Sequence, residues 1–173
     1  MGYGGNIAAD GERLRQTVQG YYYRGTFGVL GEWIESSQDV RVASGTGAGT
    51  RATLRNDAWQ ISGGWVLTGE DAGYRGVVKP SSPFAIGGDG WGALELAARY
   101  GRLEIDEGAF PLFANAASSA QAIRSWGLGL NWYLTQNFKL VTNYTQASFD
   151  GGAAAGADRA DEKALFTRAQ LSF

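Results

Sequence analysis

The side chains that carry out most enzyme chemistry are missing from this sequence. The chain of 173 residues contains no histidine and no cysteine, which removes the commonest general base and the thiolate nucleophile. Two carboxylate pairs remain, Asp106–Glu107 and Asp161–Glu162, and we interpret both as solvated charges in loops. The sequence therefore predicts no enzyme, no cofactor and no metal centre.

A set of basic residues offers a different kind of chemistry. Two acidic residues, Glu32 and Glu95, occupy polar positions in segments where polar and apolar residues alternate. Cations along the wall of a narrow aqueous passage attract anions, because the low-dielectric surroundings concentrate their field. The alternative interpretation pairs the cations with Glu32 and Glu95 in structural ion pairs. The basic residues at equivalent polar positions are Arg15, Arg99, Lys139 and Arg168.

Seven segments of alternating polarity are the elements that must position these charges. Alternation at every second residue is the pattern of a strand with two different faces. Most of these segments exceed the ~5–6 residues of an ordinary strand and suit a tilted membrane-spanning strand of ~9–11 residues. No convincing helical pattern interrupts them. The predicted strands are 13–24, 27–36, 54–67, 92–103, 123–134, 138–149 and 163–173.

The stretch "SWGLGLNWYL", residues 125–134, shows the alternation most clearly. Its polar side carries serine, glycine and asparagine, and its apolar side ends in tryptophan. A transmembrane antiparallel β-barrel has this pattern, with apolar residues toward lipid, polar residues toward a wet lumen and aromatic residues at the interfaces. The apolar side is formed by Trp126, Leu128, Leu130, Trp132 and Leu134.

A soluble β-sandwich also alternates, but it would bury the apolar face against a second sheet. Six tryptophans near strand ends fit an interfacial girdle better than such a core. The connections also favour the barrel, because short turns alternate with long loops near 37–53, 104–122 and 150–162. We expect residues 1–173 to form a single region with these long loops extracellular. The long link at 68–91 breaks the pattern, because it lies on the short-turn side.

The composition and the end of the chain narrow the class further. No stretch approaches the ~20 apolar residues of a membrane-spanning helix, and a net charge of −2 gives no electrostatic footprint for nucleic acid. The last residue, Phe173, follows the apolar Leu171 at strand spacing. These two residues resemble the carboxy-terminal signal that is read when bacterial outer-membrane barrels are assembled.

From Trp59 onward the sequence resembles the C-terminal half of the phosphate-selective porin O and P family. The stretches that carry the resemblance are "WVLTGEDAGYRGVVKPSSPF", "GALELAARYGRLEID", "WGLGLNWYLTQNFKLVTNYTQASF" and "RAQLSF". It implies a sixteen-stranded trimeric barrel in a Gram-negative outer membrane, which passes anions, chiefly phosphate, through a lumen lined by Arg and Lys. The stretch "GYRGVVKPSSPF" resembles a family motif, and we interpret it first as a packed turn braced by Pro80 and Pro83. The alternative is that Arg75 and Lys79 attract anions at the periplasmic mouth.

Seven strands are an odd number, whereas single-chain bacterial barrels have even numbers. We therefore expect a C-terminal fragment of the barrel, completed by the remaining strands or by another chain, in a homotrimer surrounded by lipid and lipopolysaccharide. The predicted function is passive diffusion of small anions such as phosphate. Two alternatives stay open: a non-conducting barrel segment that docks to another envelope component, and a secreted β-sandwich binding module.

Overall fold

The computed structural model of the protein describes residues 4–77 and 79–172. Within them the chain forms strands and short connections, with two 3-10 turns at Glu107–Ala109 and Ala154–Gly156. The described residues contain no helix that is long and apolar enough to cross a membrane. The strands are β1 (Ile7–Arg24), β2 (Phe27–Val42), β3 (Arg51–Val66), β4 (Ala93–Glu104), β5 (Ala120–Tyr133), β6 (Phe138–Gly151) and β7 (Glu162–Leu171).

The seven strands form one antiparallel sheet in the order β1 to β7, each paired with the next in sequence. The all-β antiparallel prediction is confirmed, and each predicted segment corresponds to one strand. In the described part of the chain, β1 pairs only with β2 and β7 only with β6. Closure of the sheet into a barrel therefore stays a prediction.

The second and third strands run further than the sequence predicted. The segment 37–53, predicted as a loop, is mostly strand, and only residues 43–50 connect β2 to β3. Asp39 obscured the alternation, but its carboxylate accepts hydrogen bonds from the Thr53 hydroxyl at 2.6 Å and the Glu12 amide at 3.2 Å. Because these neighbours on the flanking strands donate hydrogen bonds to the carboxylate, strand pairing continues past Asp39.

Strand register places the alternating residues of the seven strands on two faces, which we call the apolar face and the polar face. On the apolar face, Trp126 lies opposite Tyr100, which lies opposite Ile61. Large side chains of this face are open to the surroundings: Leu128 is 51% exposed and Leu165 is 74% exposed. No second sheet covers the apolar face in residues 4–77 and 79–172, so the β-sandwich interpretation does not describe this part of the chain.

The polar face is closed at its long-loop end by the connection between β4 and β5. Val40 and Leu54, which share this face with Glu32, are almost completely buried. They pack with Ala109 and Phe113 of the connection 105–119 in one apolar cluster. The loop therefore folds back over the polar face of β2 and β3 instead of extending away from the sheet.

The link between β3 and β4, residues 67–92, straddles the other end of the sheet. Its first half lies on the polar face, where the ring of Tyr74 lies 5.5 Å from that of Tyr21 and Val77 packs with Tyr133. Its second half lies on the apolar face, where Phe84 meets Trp132 edge to face at 5.9 Å. The link therefore packs against the strand ends on both faces of the sheet.

Candidate functional site

Strand register brings the predicted charged residues to one side of the sheet. The pairs Glu32↔Gln60, Glu95↔Asn131 and Lys139↔Gln170 lie on the polar face. The predicted cations are distributed across this face: Arg15 on β1, Arg99 on β4, Lys139 on β6 and Arg168 on β7.

The predicted cations have no salt-bridge partner in the described part of the chain. Five salt bridges occur there, and none involves Arg15, Arg99, Lys139 or Arg168. The five join residues near the long-loop end, for example Arg51 to Asp10 at 2.7 Å. Among the described residues, the cations on the middle of the polar face are therefore not paired with carboxylates.

The two acidic residues of the polar face are held by neutral donors. Glu32 accepts a hydrogen bond from the Gln60 amide at 2.9 Å. The Oε2 atom of Glu95 accepts from the Asn131 amide at 2.9 Å and from the Tyr133 hydroxyl at 2.8 Å. The structural ion pairs proposed as the alternative are thus not what these acids form in the described residues.

Three cavities follow one another along the polar face. The central cavity, of about 550 Å³, is lined by Arg75, Arg99, Lys139 and Glu95. A cavity of about 270 Å³ toward the long-loop end shares Arg99 and also contains Glu32. A cavity of about 340 Å³ at the short turn 134–137 shares Arg75 and Lys139. Each pair of neighbouring cavities therefore shares at least one cation. We call Arg75, Arg99 and Lys139 the basic track.

The structure separates the remaining predicted site residues from this track. Arg15 and Arg168 lie on the two edge strands and are not among the residues that line the three cavities. Lys79 is an exposed residue of the β3–β4 link that lines none of them. Leu171 lies opposite Phe138 on the apolar face and is 63% exposed. Phe173, the other half of the predicted assembly signal, lies outside the described residues.

Tyr133 is a central residue that sequence reasoning did not single out. Its hydroxyl donates to Glu95, and its ring lies under Lys139, with 5.3 Å between the ammonium and the ring centroid. A cation over an aromatic face is attracted by the electron density of the ring. Tyr133 therefore contacts Glu95 and Lys139 at once. Its polar-face position was readable from the alternation, but these contacts depend on residues in other strands.

Glycines bring the wall and the link close to these polar groups. A Cβ atom at Gly64 would lie 2.6 Å from Oε1 of Glu95, so a larger residue there would shift the carboxylate from its position. Gly76 has a positive φ of 85°, and a Cβ atom on it would lie 2.5 Å from the Tyr133 hydroxyl oxygen. That backbone conformation is easily reached only by glycine. Gly76 is thus required by the backbone geometry of the link, and Gly64 leaves space for the carboxylate of Glu95.

A hydrogen-bonded carboxylate fixes the link that carries Arg75. Oε1 of Glu70 accepts from the Ser81 amide at 2.9 Å and the Ser81 hydroxyl at 2.7 Å, and Oε2 accepts from the Thr68 hydroxyl. Partial burial would raise the pKa of Glu70, but the bonds from Thr68 and Ser81 outweigh it and lower the pKa to about 2. Glu70 therefore joins both halves of the link while it is ionised.

Nearly the whole sequence is similar to a known protein family. The family model described as phosphate-selective porin O and P matches residues 2–173, which extends the similarity well beyond the stretch after Trp59. An uncharacterized protein of Caulobacter vibrioides is 28% identical over 127 residues, which are 71% of this chain and 23% of the relative. The chain thus spans about a quarter of the length of that relative.

Proposed function

The chain belongs to the phosphate-selective porin O and P family, and we propose that it forms part of the wall of an outer-membrane channel through which small anions such as phosphate diffuse passively. Membership of a porin family points to a channel and not to an enzyme. The observation that carries the proposal is the basic track, three cations that form no salt bridge in the described residues and line neighbouring cavities on one face of the sheet.

The two faces of the sheet support a membrane location. A face of exposed Leu, Trp and Tyr side chains is stable only against an apolar medium, and a face of charged and amide side chains requires water. An outer-membrane barrel presents these two environments on opposite sides of each strand. We therefore orient the apolar face toward lipid and the polar face toward the lumen, with lipopolysaccharide around the long loops.

The two edge strands support a larger assembly. Unpaired backbone groups along a strand edge cost several kcal/mol each in a lipid environment, so a spanning sheet must close. We propose that β1 and β7 pair with the remaining strands of the barrel or with another chain. The sixteen strands and the homotrimer implied by the family are part of the same proposal.

The basic track gives the channel its preference for anions. Cations that line a narrow aqueous passage lower the energy of an entering anion and raise that of an entering cation. Glu32 and Glu95 reduce this effect, and the small excess of positive charge is screened over ~8 Å at physiological salt. We therefore expect weak anion selectivity that decreases as the salt concentration rises.

Reversal potentials of the assembled barrel in a planar bilayer under a KCl gradient test the proposal. Selectivity for chloride should fall in Arg99→Ala and Lys139→Ala. It should persist in the control Arg159→Ala, because Arg159 lies in the β6–β7 loop and pairs with Glu162. Cation preference, or indifference to the two polar-face substitutions, would contradict the proposal. A correctly inserted barrel without any current would favour the docking alternative.

A further inference from the structure

We propose that the central cavity binds small organic anions that also carry an ammonium group. The anionic group is placed at the basic track, and the ammonium group is placed at Glu95. This inference rests on the proposed passage of anions along the polar face, and it adds a solute class that inorganic phosphate does not belong to.

The free oxygen of Glu95 is the first observation behind this inference. Both hydrogen bonds to the carboxylate, from Asn131 and Tyr133, end on Oε2. No donor of the described residues bonds to Oε1, which lies 2.6 Å from the position of a Cβ atom built on Gly64. An ionised oxygen held in this way offers a charge-assisted hydrogen bond to a donor that enters the cavity.

The charge pattern of the cavity is the second observation. Arg75, Arg99 and Lys139 line the same cavity as Glu95, and no salt bridge of the described residues joins any of them to it. A phosphate dianion bound at these cations would be repelled by the negative charge of Glu95. A solute with an ammonium group converts that repulsion into an attractive contact, which is the arrangement that discriminates between two otherwise similar ligands.

The size and lining of the cavity are the third observation. Its volume of about 550 Å³ falls within the range of roughly 300–1,000 Å³ found for pockets that hold organic ligands. Tyr23, Tyr74 and Tyr133 contribute aromatic surface to the lining, against which a carbon skeleton packs better than a bare oxyanion does. The cavity is therefore suited to a compact organic solute with two charged ends.

Ethyl phosphate and phosphoethanolamine are matched probes for the test, because they share the phosphate group and the two-carbon skeleton and differ only in the ammonium. The measurement is block of the chloride current through the assembled barrel at neutral pH. We expect phosphoethanolamine to block at a concentration about two- to fivefold lower, the effect of one partly exposed ion pair. Glu95→Gln should abolish the difference, because glutamine keeps acceptors for Asn131 and Tyr133 but has no charge.

Two further variants protect the test against a folding defect. Glu32→Gln removes the acid that lines the neighbouring cavity instead of the central one, and it should keep the preference. Gly64→Ala should reduce the preference while Glu95 remains, because the added methyl group shifts Oε1 from its position.

The outcomes separate the two proposals. If the barrel selects anions but both probes block its current equally, or neither probe blocks it, the inference is wrong and the proposed function stands. A preference that survives in Glu95→Gln also overturns the inference. If the barrel shows no anion selectivity, both proposals are wrong.

Discussion

Individual residues of the polar face are held by groups from several strands. Glu95 of β4 depends on two donors from β5 and on the missing side chain of Gly64 in β3. Lys139 of β6 rests on the ring of Tyr133 from β5. Each of these groups is therefore positioned by neighbours on other strands.

The difference between the two faces is testable with single residues of β5. Leu128→Lys places a charge on the apolar face and should cost about 2–4 kcal/mol if that position lies near the bilayer midplane. Ser125→Lys places the same charge on the polar face, in the cavity toward the long-loop end, where water can solvate it. This substitution should cost much less. Unfolding of both variants in vesicles by urea measures the difference in the free energy of unfolding.

The choice of Ser125 as the control follows from the structure. Gly129 is also on the polar face, but a Cβ atom there would lie 2.4 Å from the Asn143 side-chain oxygen. A substitution at Gly129 would therefore displace the Asn143 side chain and add an effect that is not due to the charge. Equal costs at Leu128 and Ser125 would contradict the assignment of the two faces.

Among the elements, the β3–β4 link responds to pH through Glu70. The pKa of Glu70 is about 2 in the folded chain against an ordinary 4.5, so the ionised carboxylate stabilises the folded state. This contribution is complete above about pH 4.5 and is lost as the pH falls toward 2. We expect the stability difference between the wild type and Glu70→Gln, measured by denaturant unfolding, to shrink over that range. A difference that is constant from pH 5 to pH 2 would exclude this role.

The connections also predict the orientation of the sheet in the membrane. If the long loops are extracellular, cysteines at Ala48 and Ala160 should react with an impermeant maleimide on intact cells. A cysteine at Gln136, in the short turn at the opposite end, should react only after the outer membrane is opened. All three positions are exposed. Labelling of Gln136→Cys alone on intact cells would reverse the orientation.

At the scale of the whole molecule, the exposed apolar face determines how the protein behaves in solution. Val18 is 67% exposed, Leu128 is 51% exposed and Leu165 is 74% exposed, and such side chains associate when no lipid covers them. We expect the purified protein to be monodisperse in detergent and to associate when detergent is removed. Light scattering during detergent removal measures this, and a monodisperse species in plain buffer would contradict the membrane proposal.

The sequence by itself determined the strands and their faces. A strand turns alternate side chains to opposite sides, so the face of a residue such as Arg99 or Lys139 follows from local spacing alone. The antiparallel pairing of β1 with β2 and of β5 with β6 also follows from sequence, because short turns join these strands. The ends of β2 and β3 were harder to predict from sequence, since the Asp39 carboxylate is stabilised within the sheet by a hydrogen bond from Thr53 on the neighbouring strand.

Only the tertiary structure decided which charges share a cavity. Arg75 joins Arg99 and Lys139 because the link folds over the polar face, where Gly76 meets Tyr133 and Val77 is buried. Arg15 and Arg168 also lie on the polar face, but their strands place them at the two edges of the sheet. The packing of the link and of the loop 105–119 depends on contacts between residues distant in sequence. Local alternation carries no information about such contacts.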